Sequence, residues 1–331
     1  MPKKYQNAFF LIGILLFLIM LSQLDLREVW QGLKHAGYWF PAVIVLWAFL
    51  YIFNTATWYL IIRSQQNDES AADNHQKISF AWLYKVTVSG FALNYATPGG
   101  LMGGEPYRIM ELSPLIGAER ASSSVILHTM THIFSHFCFW LLSVGLFLLI
   151  KPVDLFMLLF LLLVTAFCLL GIWFFMKGYR SGLANRVMRL LMWIPLVRRW
   201  AQPFVERHKE QLDTIDHQIA ALHQQNRRTF FAGVALELSC RILSALEIYF
   251  ILRVLSSNVN YFDCILILAF TSLLANLLFF MPMQLGGREG GFLLSTTGLG
   301  MTVNGGIFVA LIVRIRELIW TGIGLLLIKI K

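Results

Sequence analysis

Residues 94–108 read Asn94-Tyr95-Ala96-Thr97-Pro98-Gly99-Gly100-Leu101-Met102-Gly103-Gly104-Glu105-Pro106-Tyr107-Arg108, and this stretch decides the fold. It lies in the middle of an otherwise apolar region, residues 78–112, and no continuous helix passes through Pro98 and its paired glycines. A second apolar region, residues 262–303, is broken the same way at Pro282-Met283-Gln284-Leu285-Gly286-Gly287-Arg288-Glu289-Gly290-Gly291. Each break sets proline and paired glycines beside an Arg/Glu couple.

Around these breaks the chain is strongly apolar. Of 331 residues 57% are hydrophobic and 14% charged, against about a quarter charged in a soluble domain. A water-facing surface needs more charge than this, so the chain reads as a polytopic membrane protein and not as a soluble enzyme. Six segments are long and apolar enough for a spanning helix of about 20 residues: 8–24, 39–62, 123–150, 153–176, 230–255 and 306–328. The first follows Lys3 and Lys4 like a signal peptide, but no small-x-small site comes after it, and it reads as a retained helix. Cys138, Cys168, Cys240 and Cys264 lie singly in apolar stretches and suit buried thiols; neither a disulfide nor a metal site is expected.

Charge sets the orientation. The net charge is +9, and residues 177–229 hold ten basic side chains against four acidic ones, which assigns that stretch to the cytoplasm and to lipid headgroups; no nucleic-acid partner is expected. Within it Leu183, Val187, Leu190, Leu191, Ile194 and Val197 recur at helical spacing beside arginines, as in an interfacial helix. Residues 205–228 suit either a polar helix or a solvated linker. Lys3 and Lys4 at one end and Lys329 and Lys331 at the other also favour the cytoplasm. With both termini and the basic stretch on one side, six spans fit only if each broken region returns to the side it came from. The expected fold is therefore all-α: a single membrane domain over residues 1–331, with about six full transmembrane helices and two broken re-entrant hairpins, 78–112 and 262–303, entering from opposite faces. The alternative makes each region a kinked full span plus a short helix, which changes parity twice and leaves the orientation intact.

Charges inside an apolar bundle cost enough that each is a functional candidate. Glu105 and Arg108 stand three apart on one helical face, and Pro106 at a helix start would set Gly104 and Glu105 where an N-terminus meets an anion. The glycines let backbone N–H groups approach a ligand. Arg288 offers a forked donor suited to phosphate, with Glu289 able to hold it when no anion is present. Arg314 sits mid-helix with no acid one turn before it. Glu237 and Arg241, four apart, suit mutual neutralisation. His128, His132 and His136 form a stripe at i, i+4, i+8; it suits either a proton relay or neutral histidines bonded to neighbouring helices.

These motifs resemble the integral membrane domain of the lysylphosphatidylglycerol synthase/flippase family, including its stand-alone members. The resemblance rests on Asn94, on Thr97-Pro98-Gly99-Gly100 leading to Gly103-Gly104-Glu105-Pro106-x-Arg108, on Pro282-x-x-Leu285-Gly286-Gly287-Arg288-Glu289-Gly290, and on Gly300. It covers essentially the whole length. It implies an all-helical domain that binds or moves lipid, with the motif residues lining the lipid path. Members often carry Glu-Arg and a following Asp in the helix that here holds His128, Thr129 and His132, so proton or substrate coupling is expected to differ. The aminoacyl-transferring activity resides in an additional soluble domain after the membrane part; only Lys329, Ile330 and Lys331 follow the last span here, and no enzymatic activity or cofactor is expected.

The functional expectation is binding and flipping of an anionic lipid, either a phospholipid or a polyprenyl-phosphate-linked glycan, across a bacterial-type inner membrane. Arg108, Arg288 and Arg314 would meet the phosphate, and Glu105 and Glu289 would organise the arginines. Two other readings use the same features: a proton-coupled small-solute transporter, and a non-transporting partner of an envelope glycosyltransferase.

Overall fold

The computed structural model describes residues 26–66, 78–96, 103–178, 227–277 and 287–329. The candidate first span and nearly all of the basic stretch fall outside them. The described residues form ten helices and no strand: α1 (Leu26–Ala36), α2 (Trp39–Gln66), α3 (Phe80–Ala96), α4 (Gly104–Ile116), α5 (Ala118–Ile150), α6 (Leu155–Gly178), α7 (Arg227–Leu255), α8 (Tyr261–Leu277), α9 (Gly287–Gly298) and α10 (Val303–Leu327). Helices α2, α5, α6, α7 and α10 cover five of the six segments expected as long apolar helices. The amphipathic helix α1 was not among the expected elements.

Composition sorts the long helices into two kinds. Helices α2, α5 and α6 are long and apolar enough to cross a membrane. Helix α6 packs chiefly on α5 and turns Leu155, Phe156, Leu163 and Leu170 outward; such a face belongs in lipid. Helices α7 and α10 are similarly long but carry Glu237, Arg241 and Glu247, and Arg314, Arg316 and Glu317. Their charged faces pack inside the bundle: α7 touches α1, α2, α5, α8 and α10, while α10 touches α1, α2, α3, α7 and α9.

Both broken regions are hairpins. In the first, Asn94 of α3 bonds Gly104 of α4, and Thr87, two turns back along α3, bonds Arg108, one turn further along α4, so the two run antiparallel. In the second, Thr271 of α8 lies against Gly291 and Ser295 of α9. Helix α4 has 13 residues and α9 has 12; at 1.5 Å per residue they reach only about 20 and 18 Å, short of a hydrocarbon core of about 30 Å.

Helix α10 shows that the hairpins are opposed. Ala92 and Val88 of α3 lie against Gly324, while Tyr95, at the end nearest the break, reaches Arg314 and Glu317. Helix α3 therefore enters from the C-terminal end of α10. On the other side, Thr296 of α9 lies against Gly306, while Arg288, also nearest its break, reaches Glu317. Helix α9 therefore lies along the N-terminal half of α10, and Tyr95 and Arg288 meet at its middle.

Small residues allow these approaches. A Cβ on Gly104 would stand 2.1 Å from the Gly90 carbonyl oxygen, and one on Gly324 would stand 2.8 Å from that of Val88. Neither backbone can step aside without opening its helix pair. Gly104→Ala is expected to lower stability by about 1–3 kcal/mol through overpacking. Gly290→Ala, at a helical site where a Cβ meets nothing within 4 Å, is expected to be neutral or slightly stabilising. Thermal unfolding of the two variants in the same detergent separates a packing requirement from a mere preference for glycine.

Candidate functional site

The middle of α10 gathers one charged cluster from three helices. Arg288 of α9 forms an ion pair with Glu317. The Tyr95 hydroxyl donates to Glu317 and accepts from Arg314 Nη1 at 3.4 Å. Arg314 Nη2 lies 3.2 Å from Glu289 Oε1. Arg288 remains 27% exposed and Glu289 39%, whereas Glu317 is 8% exposed. Arg288 and, less so, Arg314 thus keep partial exposure, while Glu317 is buried.

A second pair supports this cluster from within. Arg316 donates from Nε and Nη2 to the two carboxylate oxygens of Glu247, at 2.7 and 2.9 Å. Trp47 Nε1 adds a third bond to Glu247 at 2.9 Å, and its ring lies 3.9 Å under the Arg316 guanidinium. With Arg316 Nη1 also 3.6 Å from Glu317, three arginines meet three glutamates, and the group is neutral.

A third group lies nearer the base of the α3–α4 hairpin. Arg108 is 2% exposed and donates from Nη2 to the Thr87 carbonyl at 3.2 Å. Its guanidinium lies 4.6 Å from the centre of the Phe91 ring and 5.7 Å from that of Trp58. Its Nε has no hydrogen-bond partner, and among the described residues no carboxylate oxygen comes within 4 Å. Cation–π contacts contribute only about 0.5–2 kcal/mol each, less than burial of an unpaired charge costs. On the facing side Glu237 accepts from Asn54 Nδ2 at 3.0 and 3.2 Å, meets His132 Nδ1 at 2.8 Å, and lies 3.8 Å from His128 Nε2. Thr87 precedes Tyr95 by eight residues, about 12 Å of helix, and the rings of Tyr51 and Phe91, 5.5 Å apart, stand between the two levels.

Several expected pairings are corrected. Arg108 is not held by Glu105: that carboxylate accepts from Asn94 Nδ2 at 2.9 Å. The N-terminus of α4 is not open to an anion at Gly104, because Asn94 Oδ1 already accepts from its N–H at 2.7 Å. Arg288 is held by Glu317 and not by Glu289, which faces Arg314. Glu237 and Arg241 do not pair; Arg241 donates to Ser135 Oγ at 2.9 Å and to the His132 carbonyl at 3.0 Å. In each case a partner from another helix displaces the near neighbour in sequence, since helices packed side by side bring their polar groups closer than turns of one helix do.

The remaining candidates are placed as follows. Gly103 is buried just before α4, Gly287 is buried at the start of α9, and Gly290 is half-buried in its second turn. Pro98, Gly99, Gly100, Pro282 and Gly286 lie outside the described residues. His136 stacks edge-on against His132, ring centres 5.4 Å apart, and its Nδ1 is buried without a partner. Among the described residues no group of three His, Cys, Asp or Glu side chains is arranged to hold a metal ion. Sequence reading assigned no role to Tyr95, Asn54 or Trp47; their signal was only a polar atom within an apolar helix.

Beside α9 an apolar cavity of about 190 Å³ opens between α5, α6, α8 and α9. Trp140, Val144, Phe160, Leu161, Leu273 and Leu294 line it.

An all-helical bundle with three helices long and apolar enough to cross a membrane, closing on a charged cluster at the middle of α10, defines a polytopic helical membrane protein. The chain belongs to the family described as lysylphosphatidylglycerol synthase TM region, whose family model matches residues 8–324. No curated protein and no solved structure matches the chain.

Proposed function

We propose that this protein binds an anionic lipid by its phosphate and flips it across a bacterial-type inner membrane, without catalysing any reaction. The observation that carries this reading is the meeting of both hairpins at α10, where Arg288 and Arg314 remain reachable while their carboxylate partners lie behind or beside them. A phosphate entering there would take over the bonds that Glu317 and Glu289 now make, replacing one charge-assisted pair by another. The apolar cavity along α9, a few turns from Arg288, offers an adjoining place for an acyl or polyprenyl chain. Family membership supports a lipid ligand, and the basic cytoplasmic stretch supports both termini on the cytoplasmic side.

In this account the headgroup moves between two stations: the α10 cluster and Arg108, with Tyr51 and Phe91 as the layer between them. The chains stay in lipid throughout. The test is reconstitution into phosphatidylcholine vesicles with fluorescent phosphatidylglycerol in both leaflets and dithionite quenching from outside. Quenching beyond the outer-leaflet half, faster than in protein-free vesicles and faster than for labelled phosphatidylcholine, is expected. Movement of a labelled water-soluble anion but of no labelled lipid would favour a small-solute transporter.

A further inference from the structure

Among the described residues, the buried ionised groups balance. Besides the neutral α10 group, Arg108 and Arg241 stand against Glu105 and Glu237, two cations to two anions. An anionic headgroup arriving at either station therefore leaves one uncompensated negative charge in a water-poor interior, which is strongly disfavoured. The charge can be balanced by a proton, and the groups able to take one without breaking an arginine pair are gathered around Glu237.

We infer that Glu237 with His128 and His132 forms a proton-binding site that takes up one proton for each anionic headgroup, making lipid movement electroneutral and proton-coupled. The inference rests on the lipid-flipping reading above.

The geometry is specific to this role. The Glu237 side chain is 1% exposed, but its partner His132 is 31% exposed, so the sealed carboxylate has one accessible neighbour through which a proton can enter. His136 extends that line along α5, with a buried ring nitrogen that has no partner. On the inner side, His128 Nε2 faces Glu237 without a hydrogen bond. The ring of His128 stacks beside Trp58 at 6.0 Å, and Trp58 in turn lies beside Arg108. Phosphate at Arg108 and a proton on the Glu237–His group would therefore attract each other at short range, and each must strengthen binding of the other to the same degree.

The groups facing Glu237 are Asn54 from α2, His128 and His132 from α5, Arg108 from α4, and Cys240 and Arg241 from α7 itself. Cys240 is directed at the Leu50 carbonyl and Arg241 at Ser135. From α10, Arg316 goes to Glu247, and from α8 Tyr261 donates to the Ile242 carbonyl.

The test uses the full chain in phosphatidylcholine vesicles with fluorescent phosphatidylglycerol. At zero membrane potential, an imposed difference of about one pH unit should drive the label toward the alkaline side to a ratio of about ten, the value for one coupled proton. A membrane potential alone should drive none. In Glu237→Gln the gradient should no longer bias the label. Should that variant fail to fold, the wild-type protein in weakly buffered detergent provides the second readout: addition of phosphatidylglycerol should draw close to one proton per lipid from a pH indicator. Lipid movement that ignores the pH gradient and follows the potential, or lipid binding without proton uptake, overturns the coupling and leaves the flippase reading in place. A wild-type protein that neither binds nor moves the lipid overturns both.

Discussion

Glu247→Ala should destabilise the purified protein by about 3–5 kcal/mol, the usual cost of stripping one partner from a buried ion pair. Arg316 would then keep a full charge beside Trp47 with no carboxylate on two of its nitrogens. The indole N–H of Trp47 would lose its acceptor as well. This pair joins α7 to α10, the two charged helices at the centre of the bundle, so its loss should loosen the support beneath the functional cluster. Replacing both Glu247 and Arg316 with methionine should recover most of the stability, because apolar side chains of similar volume leave nothing unpaired. Thermal unfolding in detergent, followed by size-exclusion profile, reads both variants. A single variant that costs no more than a surface pair, below about 1 kcal/mol, would mean that water reaches Glu247.

Arg288→Ala should cut lipid movement about ten- to a hundredfold, since a hydrogen bond to a charged group contributes about 1.5–3 kcal/mol and each 1.4 kcal/mol is tenfold. Arg288→Lys should restore only part of the rate, because an ammonium cannot grip phosphate with a forked pair of donors. Combining Arg288→Ala with Arg314→Ala should cost more than either alone but less than their product, as Tyr95 and Glu317 couple the two. If Arg288 served only to tie α9 to α10, the alanine variant would lose stability and movement together, and lysine, which keeps the ion pair, would restore both.

The sequence revealed long helices and breaks well. Residues 153–176 became Leu155–Gly178 and residues 230–255 became Arg227–Leu255, because hydropathy marks where a helix must face lipid or core. Pro98 and Pro282 marked both hairpins, because proline and paired glycines interrupt a helix whatever surrounds it. Which side chains would meet was not legible. Glu237 finds His132 across 105 residues, Arg316 finds Glu247 across 69, and Tyr95 finds Glu317 across 222. Spacing rules reach only three or four residues along one helix, so they proposed Glu105 with Arg108 and Glu237 with Arg241. Packing decided otherwise. The histidine stripe was visible as a stripe, but its acid comes from α7, and nothing in the local sequence of α5 announces it.

The most direct test of the account is a density map of the protein in nanodiscs containing phosphatidylglycerol. The account predicts a lipid phosphate within hydrogen-bond distance of Arg288 or Arg314, Glu317 or Glu289 displaced from that arginine, and an acyl chain running along α9. A map with lipid only on the outer face of α6, and with Arg288 still closed on Glu317, would contradict it.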